Sequence, residues 1–334
     1  MVVQAQTRWQ RARVVELADV ADGVRRIVVE PEYPEHAAPG THIDVETGNG
    51  TRRVRSYSVV RSEGRGRRLT LSVQLSPTSR GGSAAMHRLR VGDELTVTGP
   101  LQSFPLAVGA TRYVLVAGGI GVTALVAMAS ALRRRGADYE LVLVGRSRAV
   151  MAYLDDLVAE HGDRVRVHVD DEGTSLAVDD LVAGIAQAPA SAATELYMCG
   201  PIGLMDAIAR SWDEHDLPTT NLRFETFGSS GRHPAEEFLV RLPQLDREIT
   251  VAPDTSILDA LEAAGVDTLS ECRKGECGLC LAKVVGATGT IDHRDVFLSE
   301  SQKEHSNSLC LCVSRAVAAG SGPNQHAVIS LHLT

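Results

Sequence analysis

Five of the six cysteines in this 334-residue chain, Cys272, Cys277, Cys280, Cys310 and Cys312, fall in one C-terminal stretch, and only Cys199 lies apart. A disulfide framework belongs to short secreted chains, whereas one tight group of thiols in a longer chain reads as a metal site. A secretory leader is not expected, since Met1 to Val15 carries Arg8, Arg11 and Arg13 and no apolar run. The fold must therefore place one cysteine-bearing loop so that its thiols converge.

At ~150 residues per domain the length predicts roughly two domains, or three small ones. Hydrophobic residues at 44% and charged residues at 23% describe a globular chain and exclude disorder. The net charge of −8 argues against a nucleic-acid partner. Residues 1–107 carry net +4, residues 108–228 net −7 and residues 229–334 net −5. The acidic middle and end keep the surface soluble or steer a partner protein. Tyr113 to Leu132 is twenty residues without a charge, enough for a bilayer core, but Gly118, Gly119 and Gly121 interrupt it. A buried strand, a glycine turn and a helix explain it better, so we expect no membrane association and a cytoplasmic protein.

The first hundred or so residues read as short strands over Arg11–Glu16, Val24–Glu30, His42–Glu46, Ser56–Val60, Leu69–Leu75 and Glu94–Thr98. Turns such as Asp22-Gly23 and Gly48-Asn49-Gly50 separate them, and only Ala84–Leu89 reads as helix, which predicts a small antiparallel barrel. After Pro105 strands at Tyr113–Ala117, Glu140–Val144, Arg164–Val169, Glu195–Cys199 and Leu222–Thr226 alternate with helices, one reaching Arg135 and others over Met151–His161, Val178–Ala186 and Leu204–His215. Such alternation predicts a parallel sheet with covered faces. Gly228 to Pro234 reads as a linker. Beyond it come strands Phe238–Leu242 and Arg247–Val251, a helix Ile257–Ala264 capped by Asp254 or Thr255, the cysteine loop, and a last strand Ala327–Leu333.

Cys272, Cys277 and Cys280 have the spacing C-x4-C-x2-C, with a further cysteine about thirty residues on, as plant-type ferredoxins use to hold a 2Fe–2S cluster. Four thiolates must hold two irons, and a loop supplying three of them curls tightly, which explains Gly275 and Gly278. Its backbone N–H groups then face the anionic cluster. Zinc would favour two short knuckles, and here the first gap is too long and no second pair follows.

Arg55-Ser56-Tyr57-Ser58 matches R-x-Y-S, the flavin signature of the ferredoxin reductase superfamily. Tyr57 would lie against the isoalloxazine, Arg55 would neutralise the flavin phosphate, and Ser58 would hydrogen-bond near the redox-active edge. Ser79-Arg80-Gly81-Gly82-Ser83 opens the one barrel helix, where backbone N–H groups can reach a phosphate. Ala117-Gly118-Gly119-Ile120-Gly121-Val122-Thr123 resembles, without matching, the G-x-G-x-x-G fingerprint at the end of the first parallel strand. Cys199-Gly200-Pro201 should end the fourth strand at the same edge, and it resembles the cysteine beside the nicotinamide in that superfamily.

In this order the motifs resemble the phthalate dioxygenase reductase family, over essentially the whole chain. Phe224-Glu225-Thr226-Phe227, Asp292-His293-Arg294-Asp295 and Cys312-Val313-Ser314-Arg315-Ala316 add to the match. The resemblance implies an FMN-binding β-barrel over residues 1–106, a parallel-sheet NAD-binding domain over 107–228, a linker over 229–236 and a β-grasp plant-type ferredoxin domain over 237–334. It implies Glu225 and Phe227 at the cofactor site, and FMN rather than FAD. It implies NADH as donor, although Ser147 and Arg148 after the second strand could grip the 2′-phosphate of NADPH. Ferredoxin spacing lands the fourth ligand on Cys310, whereas the family's C-V-S-R-A run favours Cys312. On an extended strand the two would face the same side, so parity does not decide between them.

The expected function is an oxidoreductase passing electrons from NADH through FMN to the cluster, with Ser58 and Cys199 at the hydride-transfer site. The acceptor would be a separate oxygenase docking near the cluster loop, with a Rieske-type partner favoured and a haem monooxygenase the alternative. The chain is expected to be a monomer. Two rivals are an electron carrier that does not oxidise NADH and a redox-sensing binding protein.

Overall fold

The computed structural model describes residues 8–47, 53–76, 81–227, 233–318 and 326–333. The Gly48-Asn49-Gly50 turn, Ser79-Arg80 and the linker residues 228–232 lie outside these. The chain divides into two compact units, Met1–Glu225 and Thr226–Thr334.

The first unit opens with β1 (Trp9–Ala21), β2 (Val24–Pro31), β3 (Thr41–Thr47), β4 (Arg53–Ser58), β5 (Arg61–Glu63) and β6 (Arg68–Gln74). The short helix α1 (Gly82–His87), β7 (Glu94–Thr98) and β8 (Leu101–Gln102) follow. These strands form one antiparallel sheet in the order β4-β3-β7-β1-β2-β6-β5, with β8 on β3. Alternating apolar residues such as Val14, Ile27, Ile43, Val45, Leu71 and Val97 fill its interior. The strand carrying the R-x-Y-S motif ends at Ser58 rather than Val60, because Val59 and Val60 turn away to bond Thr41 and Thr70.

The alternating segment then gives β9 (Arg112–Gly118), α2 (Val122–Arg134), β10 (Tyr139–Gly145), α3 (Leu154–His161) and β11 (Val165–Val169). It continues with α4 (Val178–Ala186), β12 (Thr194–Cys199), α5 (Ile202–Glu214) and β13 (Leu222–Glu225). The sheet is parallel, in the order β11-β10-β9-β12-β13. Its interior strands are near-continuous apolar runs, as burial on both faces demands. The barrel's Val24 and Val60 are buried with Val122, Leu125 and Met128 of α2, which makes barrel and sheet one unit. Among the described residues no helix is long and apolar enough to cross a membrane.

The second unit contains β14 (Phe238–Leu242), β15 (Arg247–Val251), α6 (Ile257–Ala263), β16 (Leu281–Thr288), β17 (Thr290–Asp292), α7 (Glu300–His305), β18 (Ser308–Cys310), β19 (Arg315–Val317) and β20 (Val328–His332). The main sheet runs β15-β14-β20-β16-β18, with β14 and β20 parallel, and β17 pairs with β19. This is the ferredoxin-type β-grasp. The α6 cap is Ser256, whose hydroxyl accepts from Asp259 N at 3.0 Å, and not Asp254 or Thr255. The expected N-cap fell one or two residues early because Asp254 and Thr255 are themselves cap-forming types.

Candidate functional site

In the barrel, β4 pairs with β3 so that Ser56 faces Asp44 and Ser58 faces His42 across the ladder. Ser56 donates to Asp44 Oδ1 at 2.6 Å. Tyr57 is held in a buried setting that pushes its phenol up to about 12, against the pull of Arg55, so it stays a neutral ring with a hydroxyl. The stem of Arg55 runs beside Gly82, where a Cβ would stand 3.1 Å from Arg55 Cγ. Gly81 reaches the start of α1 with φ of 101°, a left-handed conformation suited to glycine. Ser83 accepts from Ser76 N at 3.2 Å, fixing the helix start against the preceding segment. Arg55 and the Gly81-Gly82-Ser83 turn are thus brought together as one cationic, glycine-opened corner.

The order in which strands are added reverses between β9 and β12, the switch point where such sheets bind nucleotides. Gly118 and Cys199 end these two strands, and Cys199 pairs with Ala117. Three glycines are explained by backbone packing rather than by a ligand. A Cβ on Gly121 would enter the Cys199 carbonyl, one on Gly118 would lie 2.5 Å from Pro201 Cδ, and one on Gly200 would lie 2.9 Å from Gly118 Cα. Gly119 differs, with φ of 52° and open space where a side chain would go. Thr123 donates to Ile120 O at 2.9 Å and closes the turn.

Glu225 ends β13 as the register partner of Cys199, and it is only 2% exposed. Ser58 donates to Glu225 Oε2 at 3.1 Å. The strand carrying the R-x-Y-S motif and the C-terminal edge of the parallel sheet therefore meet at this carboxylate. Phe227, two residues on, is exposed. After β10, Arg148 forks onto Glu172 at 2.7 and 3.0 Å, so the guanidinium already has a carboxylate partner. His42, Asp44 and Ser103, which sequence reading missed, belong to the same polar cluster as Glu225; no motif marks them, and only strand pairing brings them in.

In the second unit the cysteine loop brings Cys272, Cys277 and Cys280 together with Cys310 and Cys312. Lys274 N and Glu276 N both donate to Cys272 Sγ at 3.4 Å. Cys280 Sγ and Cys312 Sγ lie 3.2 Å apart. A hydrogen bond from Cys312, with backbone N–H groups helping against burial, holds the Cys272 thiol down at about 4. Bonds from Cys310 and Cys312 hold Cys280 at about 3. The shared protons push Cys310 and Cys312 up, and burial pushes Cys277 up.

The strand ends at Cys310, and Leu311 to Val313 form a turn. The extended-strand parity argument therefore does not apply to this pair. Arg315 anchors the turn from behind, donating to Thr255 O, Ala252 O and Glu236 O at 2.6 to 2.9 Å. Gly275 and Gly278 have φ of 78° and 72°; a Cβ on the first would stand 2.7 Å from Val313 Cγ2, and one on the second would enter the Phe297 ring. Asp295, wholly buried, would be raised by burial, but the imidazole of His293 3.7 Å away and a hydrogen bond of 2.8 Å from Leu298 N outweigh this and hold it below its ordinary value. Converging thiols and N–H donors fit a 2Fe–2S cluster, whose sulfurs accept such bonds.

Residues 11–105 match the oxidoreductase FAD-binding domain, and residues 241–317 match the 2Fe-2S iron-sulfur cluster binding domain. Tetrachlorobenzoquinone reductase of Sphingobium chlorophenolicum is 35% identical over 90% of this chain and 93% of its own. Phenoxybenzoate dioxygenase subunit beta of Ectopseudomonas oleovorans is 36% identical over 92% and 94%. Among solved structures, a phthalate dioxygenase reductase, described as a modular structure for electron transfer from pyridine nucleotides to [2Fe–2S], has a TM-score of 0.75 and 28% identity, covering 97% of this chain and 98% of that one.

Proposed function

Because this chain belongs to the phthalate dioxygenase reductase family, we propose that it takes electrons from NADH at an FMN site in the first unit and delivers them singly, through a 2Fe–2S cluster in the second, to a separate terminal oxygenase. The protein is a flavin and iron–sulfur oxygenase reductase component; the choice of FMN and NADH and the residue roles are our own reading. The hydrogen bond of 3.1 Å from Ser58 to Glu225, with Cys199 as strand partner of Glu225, carries it. It sets the flavin motif and the nicotinamide-side cysteine at one buried carboxylate.

Bound flavin supplies exchange between a two-electron donor and one-electron acceptors. This chain's residues bind, orient and shield. Arg55 and the Gly81-Gly82-Ser83 turn form a corner for one terminal phosphate, which favours FMN. Tyr57 lines the ring site as a neutral phenol, with Ser56 held on Asp44 beside it, and Ser58 is aimed at the reacting edge by Glu225. Gly118, Gly119, Ile120, Gly121 and Thr123, with Gly200 and Pro201, shape the nucleotide edge, and Gly119 leaves room there for a phosphate. Cys199 lines the nicotinamide position. Arg148 is committed to Glu172, so a 2′-phosphate would compete with an existing carboxylate, which favours NADH.

Cys272, Cys277, Cys280 and Cys312 hold the cluster, with Cys310 a buried neighbour; the family-like run Cys312-Val313-Ser314-Arg315-Ala316 supports that choice, and Cys312 Sγ lies 3.2 Å from Cys280 Sγ. A three-domain reading, 1–106, 107–228 and 237–334 after a linker at 229–236, follows the three carriers. The oxygenase, of Rieske type, docks at the Cys272–Cys280 loop, and the reductase acts as a cytoplasmic monomer.

Chromatography of the flavin released by heat, with stopped-flow mixing against NADH and NADPH, tests the reading. FMN, and faster reduction by NADH, is the expected result. FAD, or equal use of NADPH, would overturn those assignments.

A further inference from the structure

Around Glu225 lies a chain of polar groups that hydride transfer does not require. Ser103 Oγ is 3.5 Å from Glu225 Oε1, on the opposite oxygen from Ser58, and 3.1 Å from His42 Nδ1. His42 Nε2 faces Asp44 Oδ1 at 3.8 Å, and Asp44 also accepts from Ser56. The series begins at a carboxylate 2% exposed and ends at one whose side chain is 22% exposed, so it leads from the interior to water.

The series works in both polarities. With Glu225 ionised, Ser103 donates to it and accepts from His42 Nδ1–H. With Glu225 protonated, the carboxylic acid donates to Ser103, whose hydroxyl donates to His42 Nδ1, and His42 keeps its hydrogen on Nε2 toward Asp44. A hydroxyl is donor and acceptor at once and an imidazole can hold its proton on either nitrogen, so Glu225, Ser103 and His42 Nδ1 stay paired with one another in either state.

Resting on the reductase reading above, we propose that Ser103 and His42 are positioning residues that conduct the proton left by NADH oxidation from Glu225 to solvent. The balance is NADH → NAD⁺ + H⁺ + 2e⁻. The nicotinamide C–H bond breaks, two electrons depart one at a time through the cluster to the oxygenase, and one proton remains beside Ser58. It forms an O–H bond on Glu225. That bond breaks as Ser103 takes the proton and gives its own to His42 Nδ1, and His42 releases its Nε2 proton toward Asp44 and water.

The test uses the full chain with its cofactors, reduced by NADH and reoxidised by ferricyanide in weak buffer with a pH-indicator dye. Proton release should keep pace with flavin reoxidation in the native chain, lag about tenfold or more in Ser103→Ala and His42→Gln, and recover in Ser103→Thr, which keeps the hydroxyl. Release from Ser103→Ala at the native rate would overturn the relay while leaving the reductase reading intact. A native chain that oxidises neither nucleotide would overturn the reading beneath it. As a readout independent of turnover, nitrogen NMR of the oxidised protein should show Glu225→Gln shifting the His42 ring signals when Ser103 is present and not in Ser103→Ala. Equal shifts in both backgrounds would contradict the connection.

Discussion

Ser58 and Glu225, 167 residues apart, are joined by a hydrogen bond of 3.1 Å from the serine hydroxyl to the glutamate Oε2. Ser58 is the last residue of a barrel strand and Glu225 the last of a parallel strand. Strand ends are where side chains can meet across two sheets without disturbing either ladder. Placing a carboxylate there lets one group hold a hydroxyl from the R-x-Y-S strand while its register partner Cys199 ends the neighbouring strand.

Ser58→Ala should therefore slow flavin reduction by NADH with little change in flavin affinity. A hydrogen bond to a charged group is worth about 1.5–3 kcal/mol, which corresponds to a loss of about ten- to a hundredfold in rate. Stopped-flow absorbance checks it; an unchanged rate would remove Ser58 from the reacting edge.

The fourth cluster ligand separates two neighbouring thiols. Cys312→Ser should abolish the visible cluster absorbance and its reduced-state EPR signal, whereas Cys310→Ser should retain both. The reverse pattern would assign Cys310 as ligand and make Cys312 its neighbour.

Much of this arrangement was legible in the sequence because its chemistry is local. The C-x4-C-x2-C loop, R-x-Y-S and the glycine turn after β9 each need particular residue types at short spacing, and each sits where its motif placed it. The elements between Leu281 and Val317 were not legible. Strands such as Ser308–Cys310 are three residues long, too short for any period to show, and exist because β16 offers them a ladder. The Glu225 cluster was equally hidden, since His42 and Ser103 are ordinary residues until β3 pairs with β4 and β8. Gly118, Gly121 and Gly200 were legible as a glycine signal and only half legible in meaning, because the strand ends approach too closely for a Cβ.

That close approach is testable by stability. Gly121→Ala must displace the Cys199 carbonyl and should cost about 1–3 kcal/mol or more, seen as a lower thermal midpoint. Gly119→Ala meets no atom and should cost only the left-handed conformation, about 1–2 kcal/mol. A Gly121 variant as stable as the native chain would contradict the packing explanation.

His161 supplies a pH dependence. Its side chain has no exposed surface, it bonds Tyr139 at 2.6 Å, and burial lowers its pKa in the folded state. The unfolded imidazole, with a pKa of about 6.5, then binds protons that the folded one refuses, so its contribution is full above that pH and is lost as pH falls through the folded value. The thermal midpoint should drop more between about pH 7.5 and 5 in the native chain than in His161→Gln. Parallel pH profiles would show that another group governs this limb.

The account rests on electrons passing from a nicotinamide donor to the iron–sulfur cluster within one chain. Anaerobic titration of the purified protein with NADH, followed by visible absorbance and EPR, tests this directly. The account predicts loss of the flavin bands together with the EPR signal of a reduced 2Fe–2S cluster. Flavin bleaching with no cluster signal, or no response to either nicotinamide nucleotide, would contradict it.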